Sequence, residues 1–443
     1  MPEKVQKVWK WQQQQSNSSV HVRYGAHLVY LASEERLVLF GGYNNNVGPE
    51  WLGDTWSINL EKMEFQKLKV PDGAVPSPRY SGIFVSTKGD VFKSAAYLFG
   101  GDDGGNNLQK ASKGGSSLGY MFGSFFNDLW IFQEGIWKEV KNTRSDGDIW
   151  PTARSCHSGV MTNDRFILTF GGVVAPEGVG HKTVDSNELW VFDAKESRWH
   201  HNGVNENGDA PTRRHGHSAA SIDTSGGSRM YIYGGQTKKK NHIECRLRYA
   251  CTRTLDDLWI YKFSKLTKSG TWHKIARRPS ETLRPGNRVF ASLQVVGNTD
   301  ARNLMLFGGA DCSPGCDKMF SDMWTYSIQE NRWVLDIPNG QSRTPIHRYR
   351  QSLTWVPTYN SFVLFGGESY KPSLYFNDLW TLSYVDYNYD TNSTSSLLSL
   401  RQHQQILGFM GVVRLVAACF GISVFVWIHC AQSLYGKQKR RPD

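Results

Sequence analysis

Four clustered cysteines, two close pairs of histidines and six carboxylate–tryptophan pairs are the residues of this chain whose types and spacing could do chemistry. Cys245 and Cys251, then Cys312 and Cys316, stand six and four residues apart. They can form two disulfides, remain thiols, or hold a metal as four thiolates. Zinc knuckles use other spacings, and four cysteines allow three pairings. Cys156 reads as a buried thiol, and Cys419 and Cys430 lie in an apolar C-terminal run. His200, His201, His215 and His217 have the types of metal ligands or general bases, yet each falls at a place that a recurring pattern already assigns. No Ser–His–Asp order, phosphate-cradling loop or paired-carboxylate motif stands out. No catalytic residue, metal or cofactor is therefore expected.

The carboxylate–tryptophan pairs are that recurring pattern. Asp54, Asp128, Glu188, Asp257, Asp322 and Asp378 each stand two residues before Trp56, Trp130, Trp190, Trp259, Trp324 and Trp380. Ahead of each pair lies an aromatic residue and two glycines: Phe40, Phe99, Phe170, Tyr233, Phe307 and Phe365 open these triplets. An acid repeated six times is a structural feature rather than an active site, and a period of roughly 60 to 75 residues means a repeat architecture. Each Gly-Gly ends a short apolar strand, where the glycines supply a backbone angle or leave room that a Cβ would fill. Upstream, a strand begins at Arg79, Arg154, Arg214, Arg288 or Arg348, with His157 and His217 three residues later in two repeats. In the first repeat Tyr24 takes the arginine register, with Arg23 one residue early and His27 in the histidine place. After the tryptophan a fourth strand carries Phe65, Trp137, Trp199, Trp272 or Trp333. Each repeat thus reads as a four-stranded antiparallel meander, apolar on both faces and unstable alone. The sixth lacks a fourth strand, and Val8-Trp9-Lys10-Trp11 matches what is missing.

The pattern resembles the Kelch-repeat family over residues 7–385. The resemblance implies an all-β fold, a six-bladed β-propeller closed by the N-terminal strand. The long insertions lie between second and third strands, at Asp102 to Asn127, Gln236 to Asp256 and Ala310 to Ser321. An up-and-down meander places them at one end, where loops on a rigid scaffold carry binding. In the family, that end commonly docks a protein.

Candidate contacts follow. The first insertion ends in Tyr120, Phe122, Phe125 and Phe126, either a contact patch or aromatics folded back onto the sheet. The second carries Lys238, Lys239, Lys240, Arg246 and Arg248, which would attract an acidic protein partner or simply be solvated charge. Of the net charge of +11, residues 236–255 hold +5 and the last seven residues +3. The remainder is near neutral, which argues against a nucleic-acid binder.

Residues 386–405 read as a polar linker, 406–434 as one transmembrane helix in the lipid bilayer, and 435–443 as a basic tail. The propeller's side stays open. Basic residues after the span favour a cytoplasmic tail, whereas Met1 to Gln15 has no apolar core and forms no signal peptide, as in a tail-anchored chain. The expected function is a membrane-anchored, non-catalytic interaction scaffold. The alternatives are a propeller enzyme of the metal-dependent oxidase or sugar-isomerase type, and a cytosolic-facing substrate adaptor.

Overall fold

The computed structural model describes residues 6–387, except 16–18, 47, 49, 72–74, 90–93, 105–124, 142–148, 176–182, 203–209, 239–251, 280, 298–301, 314–315 and 337–342. The chain forms two compact units. Val8–Val385 holds all the sheets. The other, Met1–Lys7 with Asp386–Asp443, lies outside the described residues apart from strand ends at Gln6, Lys7, Asp386 and Tyr387. The strand Leu379–Tyr387 therefore runs two residues into the stretch read as linker. The expected span at 406–434 and the tail at 435–443 are outside the description. Among the described residues no helix is long and apolar enough to cross a membrane.

Among the described residues six four-stranded antiparallel sheets account for the fold, with helix confined to short 3-10 turns. Sheet I joins His27–Leu31, Arg36–Phe40, Thr55–Asn59 and Glu64–Lys67. Sheet II joins Ile83–Ser86, Ala96–Phe99, Leu129–Gln133 and Ile136–Val140. Sheet III joins Ser158–Thr162, Phe166–Phe170, Leu189–Asp193 and Arg198–His201. Sheet IV joins Ser218–Thr224, Gly227–Tyr233, Leu258–Ser264 and Ser269–Lys274. Sheet V joins Ser292–Val296, Asn303–Phe307, Met323–Ser327 and Arg332–Asp336. Sheet VI joins Ser352–Val356, Ser361–Phe365 and Leu379–Tyr387, and its fourth strand is the chain's first, Gln6–Gln14.

Register repeats with the fold. The residue opening each first strand (His27, Ile83, Ser158, Ser218, Ser292, Ser352) pairs with the aromatic residue before the two glycines. Second strands are buried almost throughout, because both sides of each sheet meet another sheet. Every large apolar cluster draws on two consecutive sheets: Phe40 of sheet I packs with Trp137 of sheet II, and Tyr233 of sheet IV with Trp333 of sheet V. The succession returns to its start, because Val363 and Phe365 of sheet VI share a cluster with Leu37 and Trp56 of sheet I.

Between second and third strands the chain builds small ribbons. Tyr43–Asn44 pairs with Glu50–Trp51, Gln236–Lys238 with Thr252–Thr254, Ala310–Asp311 with Lys318–Met319, and Glu368–Tyr370 with Ser373–Tyr375. The repeat arginines stand four residues ahead of the first strands rather than at their start, in the segments that bridge to these ribbons.

Candidate functional site

Six arginines are completely buried: Arg23, Arg79, Arg154, Arg214, Arg288 and Arg348 are at most 1% exposed. A buried guanidinium needs a full set of acceptors, and the carboxylate before each tryptophan supplies most of it. Five of the six make two parallel hydrogen bonds to an aspartate at 2.5–3.1 Å. Each Nη1 also donates to the carbonyl of the first repeat glycine at 2.9–3.2 Å. The same carboxylate accepts the tryptophan indole N–H. Burial opposes ionisation of Asp54 and Asp257, but the arginine and indole hydrogen bonds outweigh it, and both carboxyls titrate below their ordinary range. This network corrects the reading of the first repeat. Arg23, not Tyr24, holds the arginine register, because Arg23 binds Asp54 and Gly41 as its counterparts do. Ala26 holds the histidine place, under Gly42 as His157 lies under Gly172, and His27 is one residue further on.

Two belts of backbone hydrogen bonds join the sheets. The second repeat glycine donates to the carbonyl of the next repeat's arginine, Gly42 to Arg79 and onward, until Gly367 donates to Arg23, all at 2.9 Å. Two residues after each arginine lies a turn residue with left-handed φ: Gly25, Ser81, Cys156, Gly216, Phe290 and Arg350. Each donates its N–H to the carbonyl of the one before, and Gly25 donates to Arg350. Left-handed φ is costly for a side chain as bulky as that of Phe290, and such strain gathers at functional sites.

These turn residues surround a central cavity of about 150 Å³. Below them lie Ala26, Gly82, His157, His217, Ala291 and Gln351. Burial drives the imidazoles of His157 and His217 well below their ordinary pKa, helped by Arg154 and Arg214, and brings His27 to about 3. All three are neutral. At the ribbon end of the cavity, Arg350 lies 3.9 Å from the ring centre of Phe290 and 5.6 Å from those of Tyr24 and Tyr80. Its Nη1 donates to Ser81 Oγ at 3.2 Å, and its Nε lies 3.7 Å from Glu368. Tyr24 continues into an aromatic collar with Tyr43 and Tyr375 at 5.2 and 5.7 Å, and Tyr43 meets Trp51 at 4.9 Å. Burial pushes Glu368 to about 7 and Asp102 to about 6, and it raises the Cys156 thiol. Asp102 also accepts a hydrogen bond from Ser155.

The sequence-derived candidates fall elsewhere. Phe126 is a repeat element, its ring 4.0 Å under the Arg79 guanidinium, as Phe320 and Phe376 lie under Arg288 and Arg348. Phe125 is half-buried and bridges to Asp102. Lys238 ties its ribbon to the Val173–Val174 and Val184–Asp185 ribbon of the preceding repeat, donating from Nζ to Thr183 O and from its N–H to Asp185, which also binds His215 at 2.9 Å. Tyr120, Phe122, Lys239, Lys240, Arg246, Arg248, Cys245 and Cys251 lie outside the described residues. Cys312 and Cys316 are joined as a disulfide. Among the described residues, Asp193, Glu196 and His200 lie close enough to hold a metal, but Arg165 and Lys268 already engage both carboxylates.

Arg350, Glu368, Tyr24 and Tyr80 were not read from sequence as site residues. One local signal existed: Arg348 and Arg350 are two residues apart, and only one of them can occupy the repeat register.

A family profile described as the KLHDC2/KLHL20/DRC7 Kelch-repeats domain matches residues 5–225 and 167–411. The dynein alpha chain of the flagellar outer arm of Chlamydomonas reinhardtii is 26% identical over 240 residues, covering 52% of this chain and 4% of that one. The host cell factor homolog hcf-1 of Caenorhabditis elegans is 26% identical over 281 residues, covering 57% and 32%. The acyl-CoA-binding domain-containing protein 5 of Arabidopsis thaliana is 32% identical over 118 residues, covering 26% and 16%. The chain thus spans at most a third of these relatives' lengths. The structure of YjhT superposes with a TM-score of 0.52 at 13% identity, covering 82% of this chain and 95% of that one, a likeness of fold.

Proposed function

The chain belongs to the KLHDC2/KLHL20/DRC7 Kelch-repeat family, and on that premise we propose that it is a non-catalytic protein-interaction scaffold, held at a membrane by residues 406–434. On this reading the six sheets are the blades of one closed propeller over residues 7–385, and Gln6–Gln14 is its latch. The observation that carries the reading is the division of roles within the ribbon end. The charge of the repeat is engaged within the fold, six arginines on six carboxylates, while the ribbon of Glu368–Tyr370 and Ser373–Tyr375 presents exposed Tyr370 and Leu374. Loops on a rigid scaffold with exposed aromatic and aliphatic tips suit protein contact. The relatives support modular use, since the matching region is a small part of much longer chains.

The test uses the full-length chain in cells, with partners captured by cross-linking. Tyr370→Ser with Leu374→Ser should remove partners that Glu61→Ala with Lys62→Ala, at the opposite end, retains. Equal retention by both variants would defeat the one-ended reading. Alkaline extraction should leave the full chain in the membrane pellet and release a chain lacking 406–434. Release of both would dispose of the anchor.

A further inference from the structure

We propose that the cleft beside the ribbon of sheet IV is a phosphomonoester-binding site, in which Arg253, Lys274, Arg277 and Arg284 receive the phosphate dianion. The inference goes beyond the scaffold reading and does not depend on it.

The cleft has a volume of about 430 Å³, ordinary for a small-ligand site. It lies between Thr212, ahead of sheet IV, the returning ribbon strand Thr252–Thr254, and Lys274 to Arg284, where the chain leaves for sheet V. Strand alternation delivers Arg253. Thr254 is buried, its hydroxyl accepting from the Cys312 N–H and from Ser313, so the neighbouring Arg253 faces the other way and is exposed. The Arg253 side chain makes no hydrogen bond or ion pair among the described residues. Cross-strand pairing delivers Lys274, which stands opposite Trp259 with Nζ 5.6 Å from the ring centre. The residues opposite the repeat tryptophans of sheets I, II, III and V are Lys67, Glu139, His201 and Leu335. The repeat therefore does not require a cation there.

Charge in the cleft does not balance. Two carboxylates line it, and both are taken. Asp257 serves Arg214 and the Trp259 indole, and Asp256 serves Arg277, whose Nη2 lies 2.6 Å from each oxygen. The Arg284 side chain is 15% exposed, yet its one hydrogen bond among the described residues runs from Nη2 to the Asp256 carbonyl at 3.1 Å. Its Nε is buried without an acceptor. Glu281 lies 3.7 Å from Nη1, beyond hydrogen-bond reach, and accepts the Trp333 N–H instead. With Arg214 and Glu281 counted, the group carries two more positive charges than negative.

A phosphomonoester matches this arrangement. It carries close to two negative charges at neutral pH and three acceptor oxygens, and it bonds readily to clustered arginines. Those oxygens diverge, so they meet guanidinium and ammonium groups on different sides of a cleft, whereas a carboxylate offers a single plane to a single fork. Leu255, Ile275 and Ala276 line the remaining wall and give apolar contact to the carbon that carries the phosphate.

The experiment follows the phosphorus NMR signal of two probes as the purified full chain is added: inorganic phosphate, and phosphoserine in a tripeptide blocked at both ends. Both should bind more tightly at pH 7.5 than at pH 5, the peptide by about tenfold, because its second phosphate proton leaves near pH 6 and no histidine lines the cleft. Tighter binding of the peptide would identify a partner's modified side chain as the ligand; phosphate binding at least as tightly, a free phosphate compound. Arg253→Gln with Lys274→Gln should weaken binding by about tenfold or more, and Arg253→Gln alone, whose side chain ties nothing in the fold, should show part of that loss. Lys62→Gln with Lys265→Gln removes the same charge from exposed turns between third and fourth strands and should bind as wild type does. Undiminished binding in the Arg253 variants, equal loss in the two double variants, or failure of both probes to bind the wild-type chain would overturn the proposal.

Discussion

Glu188 is one methylene longer than the five aspartates that serve the same purpose, and the difference is visible in its bonds. Arg154 reaches it through Nη2 alone at 2.7 Å, and Trp190 through a 3.2 Å contact where the aspartates give 2.6–2.7 Å. Arg154 is also the repeat arginine whose pKa falls on burial. Glu188→Asp should restore the second hydrogen bond and raise the free energy of unfolding by about 1 kcal/mol, read by chemical denaturation. Removing a partner outright is a larger change. Arg288→Ala leaves Asp322 without its guanidinium and should cost about 3–5 kcal/mol in the same assay. The buried histidines act through pH. Their pKa values are lower folded than unfolded, so the stability they contribute is present above the unfolded value near 6.5 and is lost as pH falls below it. Between pH 6 and pH 5, His157→Gln should reduce the slope of unfolding free energy against pH by about 1.4 kcal/mol per unit; an unchanged slope would mean that His157 is not buried neutral. The spacing of acid and tryptophan was legible in sequence because it is local. Its guanidinium partner was not, because Arg23 and Arg79 lie 31 and 49 residues ahead of Asp54 and Asp128. Arg350 was illegible for a related reason: only folding brings Phe290, Tyr24 and Tyr80 around it.

The glycine pairs show how an element can be read from composition. At Gly234, φ is +67° and an added Cβ would lie 2.4 Å from the carbonyl of Arg288 in the next sheet. Gly226 has neither constraint, with an ordinary φ and open space around it. Gly234→Ala should therefore lower the melting temperature sharply, by the combined effect of strain and clash. Gly226→Ala should leave it within a degree or two, or raise it slightly through the unfolded state. Equal effects of the two would refute close sheet-to-sheet approach at Gly234. Strands were legible because apolar runs ending in two glycines have no reasonable alternative reading, and Trp137, Trp199 and Trp272 do fall in fourth strands. The one-residue error in the first repeat arose because Tyr24 and Arg23 are adjacent, and either one fits the spacing until Asp54 selects the arginine. From sequence Phe126 fits either a contact patch or an aromatic folded back onto the sheet, because it follows a long glycine- and serine-rich stretch. Its role under Arg79 emerges only beside Phe320 and Phe376, which occupy the same place in their repeats.

At the scale of the molecule the decisive contacts join the ends of the Val8–Val385 unit. Trp9 and Trp11 are 4% and 2% exposed. Trp11 packs on Phe307 of sheet V at 5.0 Å and on Trp380 of sheet VI at 6.5 Å, while Trp9 meets Phe362 at 5.7 Å. One short strand thus fills the fourth place of the last sheet and also covers the sheet before it. The backbone belts supply a second join, Gly25 to Arg350 and Gly367 to Arg23. If the belts alone hold the ends together, deleting residues 6–14 should shift stability little. If the strand is the latch, deletion exposes the edge of Leu379–Tyr387 and uncovers Phe307, leaving a strand edge open to pairing with another chain. Trp11→Ala should then cost about 3–5 kcal/mol, as removal of a large buried aromatic does. The deletion should cost more, lower the melting temperature, and yield oligomers in light scattering that wild type does not form. Adding residues 6–14 back as a separate peptide should restore the monomer, since the vacant edge accepts that strand by backbone pairing. A deleted chain that stays monomeric and melts like wild type would transfer the whole of the closure to the two belts.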